Sequence, residues 1–145
     1  MSTETRLVAA PAERVWAVLA DGWLYPLWVV GATHMRKVDP GWPAVGARLH
    51  HSVGAWPLMI QDTTEVLAVE PGRLLVLCAH ASPIGAAHIE IDLTPGPEGT
   101  TVTMTEYAAS GPARMIPLPV QRALLGPRNR EALARLDDLA RNREG

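Results

Sequence analysis

The chain has 145 residues, of which 48% are hydrophobic and 19% charged, and its formal net charge is −2 at pH 7. This composition is typical of one globular domain with a buried core, and the absence of a basic run argues against nucleic acid or a membrane surface as the main partner. No apolar run approaches the roughly 20 residues of a spanning helix, and the polar stretch Met1–Arg6 lacks the apolar core of a signal peptide, so we expect a cytoplasmic protein.

Two short helices are predicted directly after the first strand. Thr3–Ala9 predicts that strand, and Pro11 then takes the favoured first position of a helix, which ends at Asp21-Gly22. Trp23–Trp28 predicts a second short helix, interrupted at Pro26. A helix pair that precedes any hairpin is an unusual order and therefore a useful indication of topology.

From Gly31 onward the apolar period changes to two, which predicts six strands joined by short turns. Turn-forming stretches such as Asp39-Pro40-Gly41 and Pro95–Gly99 separate these strands. The strand Leu74–Ala81 is almost entirely apolar, which favours a central position in the sheet, covered on both faces. The six predicted strands are Thr33–Val38, Ala47–Val53, Met59–Val69, Leu74–Ala81, Ala87–Leu93 and Thr101–Tyr107.

A long amphipathic helix is predicted at the end of the chain, over Val120–Arg143, because apolar residues recur there at helical spacing. Gly126-Pro127 interrupts its pattern, so we expect a kink or a late helix start, with a first half flexible enough to gate a cavity. The order β-α-α-β-β-β-β-β-β-α predicts an α+β domain. Its six consecutive strands form an antiparallel meander, whose open edges the first strand would bridge.

Four stretches of the sequence resemble the START-like or helix-grip superfamily (SRPBCC). Pro11–Trp16 is similar to its P-A-x-x-V-W helix start, and Thr64–Leu74 to its T-E-V-x-x-x-x-P-x-R-L hairpin. Gly99–Glu106 is similar to its G-T-x-V-x-x-x-E segment, and Asn129–Leu136 to its N-R-E-x-L-x-x-L helix. The resemblance covers nearly the whole chain, and residues 1–145 are predicted to form a single domain of this kind. It is closest to the bacterial polyketide cyclase/dehydrase-like branch.

The resemblance implies a helix-grip fold, in which a curved antiparallel sheet of about seven strands wraps around the long C-terminal helix. It also implies a mostly apolar cavity between the sheet and that helix. Members of the superfamily range from carriers and sensors of hydrophobic ligands to cyclases and dehydratases. The fold alone does not choose among these activities.

Two titratable residues share the apolar faces expected to line this cavity. Glu106 lies on the face of Val102 and Met104, where a carboxylate must be paired or protonated. It is a candidate general acid/base or ligand anchor, or else half of a structural ion pair with Arg114 or a helix arginine. His51 could enter the same cavity and, with Glu106, enolise or dehydrate a ketide. The alternative for His51 is a satisfied structural side chain.

Aromatic and apolar residues supply the candidates for the cavity wall. Tryptophan suits such a wall because it combines a large apolar body with one N–H donor. Arg114 follows Gly111-Pro112 and could bind a carboxylate or a phosphopantetheine-like anion at the mouth of the cavity. The predicted ligand-binding residues are Trp28, Trp56, Met59, Leu77, Met104, Arg114, Met115 and Leu124.

Several kinds of site are disfavoured by the sequence. It contains no G-x-S-x-G, no Walker loop and no G-x-G-x-x-G, which argues against hydrolase, nucleotide and dinucleotide chemistry. The single Cys78 excludes an internal disulfide and a cysteine-rich metal site. The doublet His50-His51 is no metal motif, because adjacent strand residues point to opposite faces. We therefore predict neither a metal nor a cofactor.

Three functional hypotheses follow. The first is a protein that binds a hydrophobic or aromatic small molecule in the helix-grip cavity. The second is a polyketide cyclase or dehydratase that uses Glu106 and His51 as acid and base, which requires both side chains to reach one ligand. The third is an interaction module, against which the polar outer-face set His88, Glu90 and Asp92 argues. A homodimer remains open.

Overall fold

A computed structural model of the protein describes residues 2–29, 32–53, 60–81 and 85–142. Seven strands and three α-helices occur in the predicted order, and 3₁₀ turns at Gly22–Leu24 and Pro112–Met115 precede the second and third helices. The strands are β1 (Ser2–Val8), β2 (Ala32–Val38), β3 (Arg48–Val53), β4 (Ile60–Glu70), β5 (Leu74–Ala81), β6 (Gly85–Gly96) and β7 (Gly99–Ser110). The helices are α1 (Ala12–Ala20), α2 (Tyr25–Trp28) and α3 (Leu118–Asn142). The predicted α+β helix-grip fold is confirmed.

Three prolines differ from their predicted roles. Pro11 is the N-cap of α1 with an extended backbone (φ −67°, ψ 155°), not its first residue, and its carbonyl accepts hydrogen bonds from Arg14 and Val15. Pro26 lies in the first turn of α2, where its missing N–H is tolerated, so it does not interrupt that helix. Pro127 lies inside α3, which is continuous from Leu118, so the predicted late start is wrong.

The sheet is antiparallel throughout, in the order β1-β7-β6-β5-β4-β3-β2. In the described residues β1 pairs with β7, and β2 forms the opposite edge, so the prediction that β1 bridges both edges of the meander is wrong. At the β1 edge, α3 packs against the outermost strand. The chain between β1 and β2 therefore crosses from one edge to the other as α1 and α2.

The core lies between the concave face of the sheet and the helices. Alternate residues of the central strands point to this face, as the pleat requires. They meet the apolar faces of α1 and of the second half of α3. The buried set includes Val15, Val18, Leu19, Leu49, Val66, Leu75, Leu77, Ile89, Ile91, Leu93, Val102, Met104, Leu133, Leu136 and Ala140.

Ion pairs fix α3 to the outermost strand. Arg6 Nε of β1 donates to Asp137 Oδ2, and Arg141 Nε, one turn along α3, donates to Asp137 Oδ1, each at 2.7 Å. Burial alone would raise the pKa of the Asp137 carboxyl, but these two guanidinium groups outweigh it and lower the pKa below 3.8. Closer to the start of α3, Arg130 pairs with Glu4 of β1 at 3.2 Å.

The two halves of α3 differ in burial. The second half packs into the core through Ala132, Leu133, Leu136 and Ala140. The first half exposes Leu118, Val120 and Leu124 to solvent. Only the second half is therefore held by core packing. In the described part of the chain, no helix is long and apolar enough to cross a membrane.

The buried Asp137 carboxylate should contribute measurably to stability. We expect Asp137→Asn to lower the free energy of unfolding by about 1–3 kcal/mol at neutral pH, because it weakens two charge-assisted hydrogen bonds. Since the folded-state pKa of Asp137 is lowered, its contribution is present above the ordinary value of 3.8 and is lost as the pH falls through the folded-state pKa. Urea unfolding from neutral pH to pH 2 measures both effects.

Asp138→Asn is the matched control for this experiment. Asp138 is exposed and its contact with Arg141 is 3.8 Å long, so its replacement should change the unfolding free energy by less than about 0.5 kcal/mol. Equal losses for the two variants, or a pH profile unaltered in Asp137→Asn, would contradict the anchoring role of Asp137.

Candidate functional site

Polar side chains replace the apolar core at one end of the concave face. In each of three strands, a buried apolar residue is followed on the same face by a polar residue two positions away. The polar residue comes later in the sequence in β3 and β7 and earlier in β4. Because β3 and β7 run opposite to β4, all three polar residues lie on the same side of their apolar neighbours. The pairs are Leu49 and His51 in β3, Val66 and Thr64 in β4, and Met104 and Glu106 in β7, and all six residues are buried.

A row of small side chains lies at the same end of the sheet. Ala79 of β5 pairs with Ala87 of β6, which pairs with Ala108 of β7, and we call these three residues the alanine row. One row further into the core, the neighbours of Ala79 and Ala87 are the buried Leu77 and Ile89. The alanine row is only half-buried, so the concave face is filled at Leu77 and Ile89 and less filled beside them.

Three buried residues form a hydrogen-bonded group above this end of the sheet. The Thr64 hydroxyl lies 2.8 Å from His51 Nε2 and 3.2 Å from the hydroxyl of Tyr25 in α2. The Tyr25 and His51 rings also stack, with centroids 5.5 Å apart and planes at 25°. Since each side chain comes from a different element, α2 is tied to β3 and β4 at this point.

The Thr64 hydroxyl has one proton to donate, so the two hydrogen bonds depend on each other. If Thr64 donates to His51 Nε2, it accepts the Tyr25 proton. If His51 carries a proton on Nε2, it donates that proton to Thr64, and Thr64 can then donate its own proton to Tyr25. In that arrangement the Tyr25 proton is available to another acceptor.

Glu106 is paired with the long helix across the concave face. Its carboxylate lies 3.8 Å from Arg128 Nη1, and its side chain is 4% exposed whereas that of Arg128 is 38% exposed. The separation is that of an ion pair rather than a direct hydrogen bond. Of the partners expected for Glu106, the structure thus brings a helix arginine, Arg128, while Arg114 is exposed.

Tyr25 is electrostatically connected to this ion pair as well as to His51. Burial raises the pKa of the Tyr25 phenol. The hydrogen bond with Thr64 and the charge of Arg128 lower it in part, and the charge of Glu106 raises it again. The net shift is upward, so the phenol keeps its proton at neutral pH and acts as a hydrogen-bonding group rather than as a phenolate.

His51 and Glu106 lie on the same concave face but not beside each other. Strands β3 and β7 are four positions apart in the sheet, which corresponds to roughly 19 Å measured along it. Curvature of the sheet shortens the direct path between them. Tyr25 interacts with groups on both sides, because its ring stacks on His51 and the charges of Arg128 and Glu106 shift its pKa in opposite directions.

The sequence of this chain matches one family model over residues 2–141, that of polyketide cyclase / dehydrase and lipid transport proteins. The chain belongs to this family. The match includes all the strands and helices described above up to the last turn of α3. No functionally curated protein sequence matches it.

Solved structures share the fold of this polyketide cyclase/dehydrase family member. A protein from Mesorhizobium loti superposes with a TM-score of 0.72 at 23% identity, covering 99% of this chain and 98% of that one. The di-domain ARO/CYC StfQ from the steffimycin biosynthetic pathway gives 0.72 at 13% identity, covering 96% and 49%. DynU16, from the dynemicin biosynthetic locus, gives 0.70 at 21% identity, covering 97% and 47%.

The predicted ligand-binding residues of this family member fall into three groups. Trp28, Leu77 and Met104 are buried in the core, where Trp28 makes an edge contact with Tyr25 at 5.4 Å. Exposed residues lie before and within the first half of α3; these are Arg114, Met115 and Leu124. The remaining two, Trp56 and Met59, lie outside the described residues.

Two residues of this site, Thr64 and Tyr25, were missed by sequence reasoning although each had left a signal. Thr64 lies two residues from Val66 and so shares its face, which the strand period indicates. Tyr25 belongs to the predicted short helix Trp23–Trp28. Arg128 was expected only as an unspecified helix arginine, because its direction depends on the exact phase of α3 beyond Pro127.

The described surface also carries a groove outside this site. A groove of about 680 Å³ lies at the opposite end of the sheet, between Ala9–Glu13 and the β6–β7 turn. Its titratable residues, Glu13 and Glu98, belong to neither the Tyr25 group nor the Glu106 pair. Among residues 2–29, 32–53, 60–81 and 85–142, no three His, Cys, Asp or Glu side chains come together as a metal site would require.

Loss of the Thr64 hydroxyl should destabilise the protein more than loss of either partner bond alone. We expect Thr64→Val to lower the free energy of unfolding by about 2–4 kcal/mol, because Tyr25 and His51 both lose a buried hydrogen-bond partner. Tyr25→Phe, which removes one bond, should lower it by about 1 kcal/mol. Urea unfolding monitored by tryptophan fluorescence measures the three proteins.

Thr105→Val is the control for the same change of side chain on the outer face. Thr105 lies 3.4 Å from Thr3 at an exposed position, so its loss should alter the unfolding free energy by no more than about 0.5 kcal/mol. A Thr64→Val variant as stable as Thr105→Val would rule out the buried hydrogen-bonded group.

Proposed function

We propose that this protein binds a hydrophobic or aromatic small molecule between the concave face of the sheet and α3. The proposal is carried by the alanine row, which is half-buried, is in register with Thr64 of β4, and lies one row beyond the buried Leu77, Ile89 and Glu106. Small side chains leave room there for a ligand, and nearby Tyr25, His51 and Glu106 offer a few polar groups to orient it. A mostly apolar cavity with few polar anchors is the general form of a small-molecule site.

The proposed ligand would contact residues from both sides of this space. Leu77 and Met104 supply apolar contacts from the sheet, and Trp28 supplies an aromatic edge from α2. Arg114, Met115 and Leu124 would border the mouth, where their exposure leaves them accessible to an entering molecule. Trp56 and Met59 remain candidates for the rest of the wall.

The family and its structural relatives support a small organic ligand of this kind. The family description joins polyketide cyclase and dehydrase with lipid transport, and both involve largely apolar carbon skeletons. StfQ is named as an ARO/CYC, and DynU16 belongs to the locus for dynemicin biosynthesis. These relatives share the fold with our chain at low identity, so they support the class of ligand and not a particular compound.

Filling the space beside the alanine row should abolish ligand binding. We expect Ala108→Leu to weaken binding of 2-acetonaphthone, a small aromatic probe, by at least about tenfold, because the added side chain occupies the proposed site. Titration followed by tryptophan fluorescence gives the dissociation constants. Native mass spectrometry of the protein from its host tests whether the same change removes a retained small molecule.

Thr105→Leu is the matched control, since Thr105 lies three residues from Ala108 in β7 and its hydroxyl lies beside that of Thr3 at an exposed position on the outer face. It should bind the probe with the wild-type affinity. Absence of saturable probe binding and of any retained molecule in the wild-type protein would refute the proposed function. Equal weakening by both substitutions would place the ligand elsewhere.

A second candidate function is a cyclase or dehydratase of polyketide-like substrates. The observation that favours it is the hydrogen-bonded group of His51, Thr64 and Tyr25, whose phenol is also influenced by the charge of Glu106. In a dehydration, a base such as His51 would remove a proton next to a ketone. An acid, the role expected of Glu106, would donate a proton to the departing β-hydroxyl, so that water leaves and a carbon–carbon double bond forms.

This enzymatic alternative has a direct test with a β-hydroxy ketone, 4-hydroxy-4-phenylbutan-2-one. If it is correct, the protein accelerates formation of the conjugated enone, and His51→Gln and Glu106→Gln each slow it by about 100-fold or more. The absorbance of the enone follows the reaction. No acceleration by wild-type protein over buffer, or full rates in both variants, would exclude these two residues as acid and base.

A further inference from the structure

Among the residues that the structure describes, one buried amide in α3 has no hydrogen-bond partner. Asn129 is 3% exposed, and its Nδ2 atom, which can donate two hydrogen bonds, makes none to the described part of the chain. A buried donor without an acceptor destabilises a folded protein, because its hydrogen bonds to water are lost and not replaced. Most buried polar groups have partners, so an exception of this kind requires an explanation.

A second buried amide in the same helix shows how such a group is normally satisfied. Gln121 is also nearly inaccessible, and its Nε2 donates to the carbonyl of Ile116 at 2.6 Å. The sequence around Gln121 thus supplies an internal acceptor, whereas none is supplied to Asn129. The two residues form a natural comparison within one helix.

The position of Asn129 in the fold connects it with the proposed ligand space. The core packing of α3 begins at Ala132, and Asn129 is the buried position that precedes it by one turn. Its neighbour Arg128 pairs with Glu106 and acts on the phenol of Tyr25. Asn129 therefore lies at the boundary between the second half of α3, which packs into the core, and its more exposed first half.

We propose that the Asn129 amide donates a hydrogen bond to an oxygen of the bound ligand, which makes the ligand an apolar molecule with a carbonyl or equivalent acceptor oxygen. This inference rests on the proposed function and narrows its ligand class. A pure hydrocarbon would leave the donor unsatisfied, whereas a ketone, quinone or ester oxygen would satisfy it. Asn129 thereby selects for oxygenated aromatic or acyl compounds.

The test compares two ligands of nearly equal shape, 2-acetonaphthone and 2-ethylnaphthalene, which differ by one carbonyl oxygen. For each protein we consider the ratio of the hydrocarbon Kd to the ketone Kd, so that general apolar affinity cancels. We expect Asn129→Leu, which keeps the side-chain shape, to lower this ratio by about tenfold. Asn129→Asp, which keeps Oδ1 but replaces the donor nitrogen, should also weaken ketone binding.

Stability without ligand gives an independent readout. Asn129→Leu should raise the melting temperature by several degrees, because it removes a buried unsatisfied donor from the free protein. Gln121→Leu should lower the melting temperature, because it removes a donor that is satisfied. A merely structural role for Asn129 would make both variants less stable.

The possible outcomes separate this inference from the function on which it rests. A lowered ratio together with a stabilised Asn129→Leu variant supports the assignment. An unchanged ratio, or a loss of stability like that of Gln121→Leu, overturns it while ligand binding in the cavity stands. If neither 2-acetonaphthone nor 2-ethylnaphthalene binds to the wild-type protein, both this inference and the proposed function are overturned.

Discussion

The position of the first two strands at opposite edges of the sheet constrains the rest of the structure. The connection between them must traverse the sheet, and it does so as α1 and α2 on the concave face. This crossing brings Tyr25 and Trp28 over strands that are distant in sequence. The sheet and α3 alone would leave His51 and Thr64 without an aromatic partner. The candidate site therefore depends on a topological requirement before it depends on any side-chain chemistry.

The same concave face serves as a core at one end and carries the proposed binding surface at the other. Along β7 the change takes place between Met104 and Glu106, and along β3 between Leu49 and His51. Polar burial of this kind is tolerated where each group finds a partner, as Glu106 does with Arg128. In such a sheet, apolar packing at one end supplies stability, and the other end can carry polar side chains.

Sequence periodicity was sufficient for the architecture and for half of the polar site. Alternation along single strands predicts the orientation of Glu106 and His51, because that orientation depends only on local pleating. It does not predict that Arg128 reaches Glu106, since the direction of Arg128 depends on how α3 passes Pro127 and settles on β1. Likewise, the role of Pro26 depends on the 3₁₀ turn before it. Contacts between elements were accessible only where a known family pattern already implied them.

The proline within α3 has a consequence for the dynamics of the protein. Pro127 has no N–H to donate to the carbonyl four residues earlier, so the helical ladder is weakest where core packing begins. On one side of this point, Asp137 and the buried leucines link the helix to the global unfolding reaction. On the other side, the first turns can open locally at a much smaller free energy. Amide hydrogen exchange along α3 would then be fast before Pro127 and slow after it.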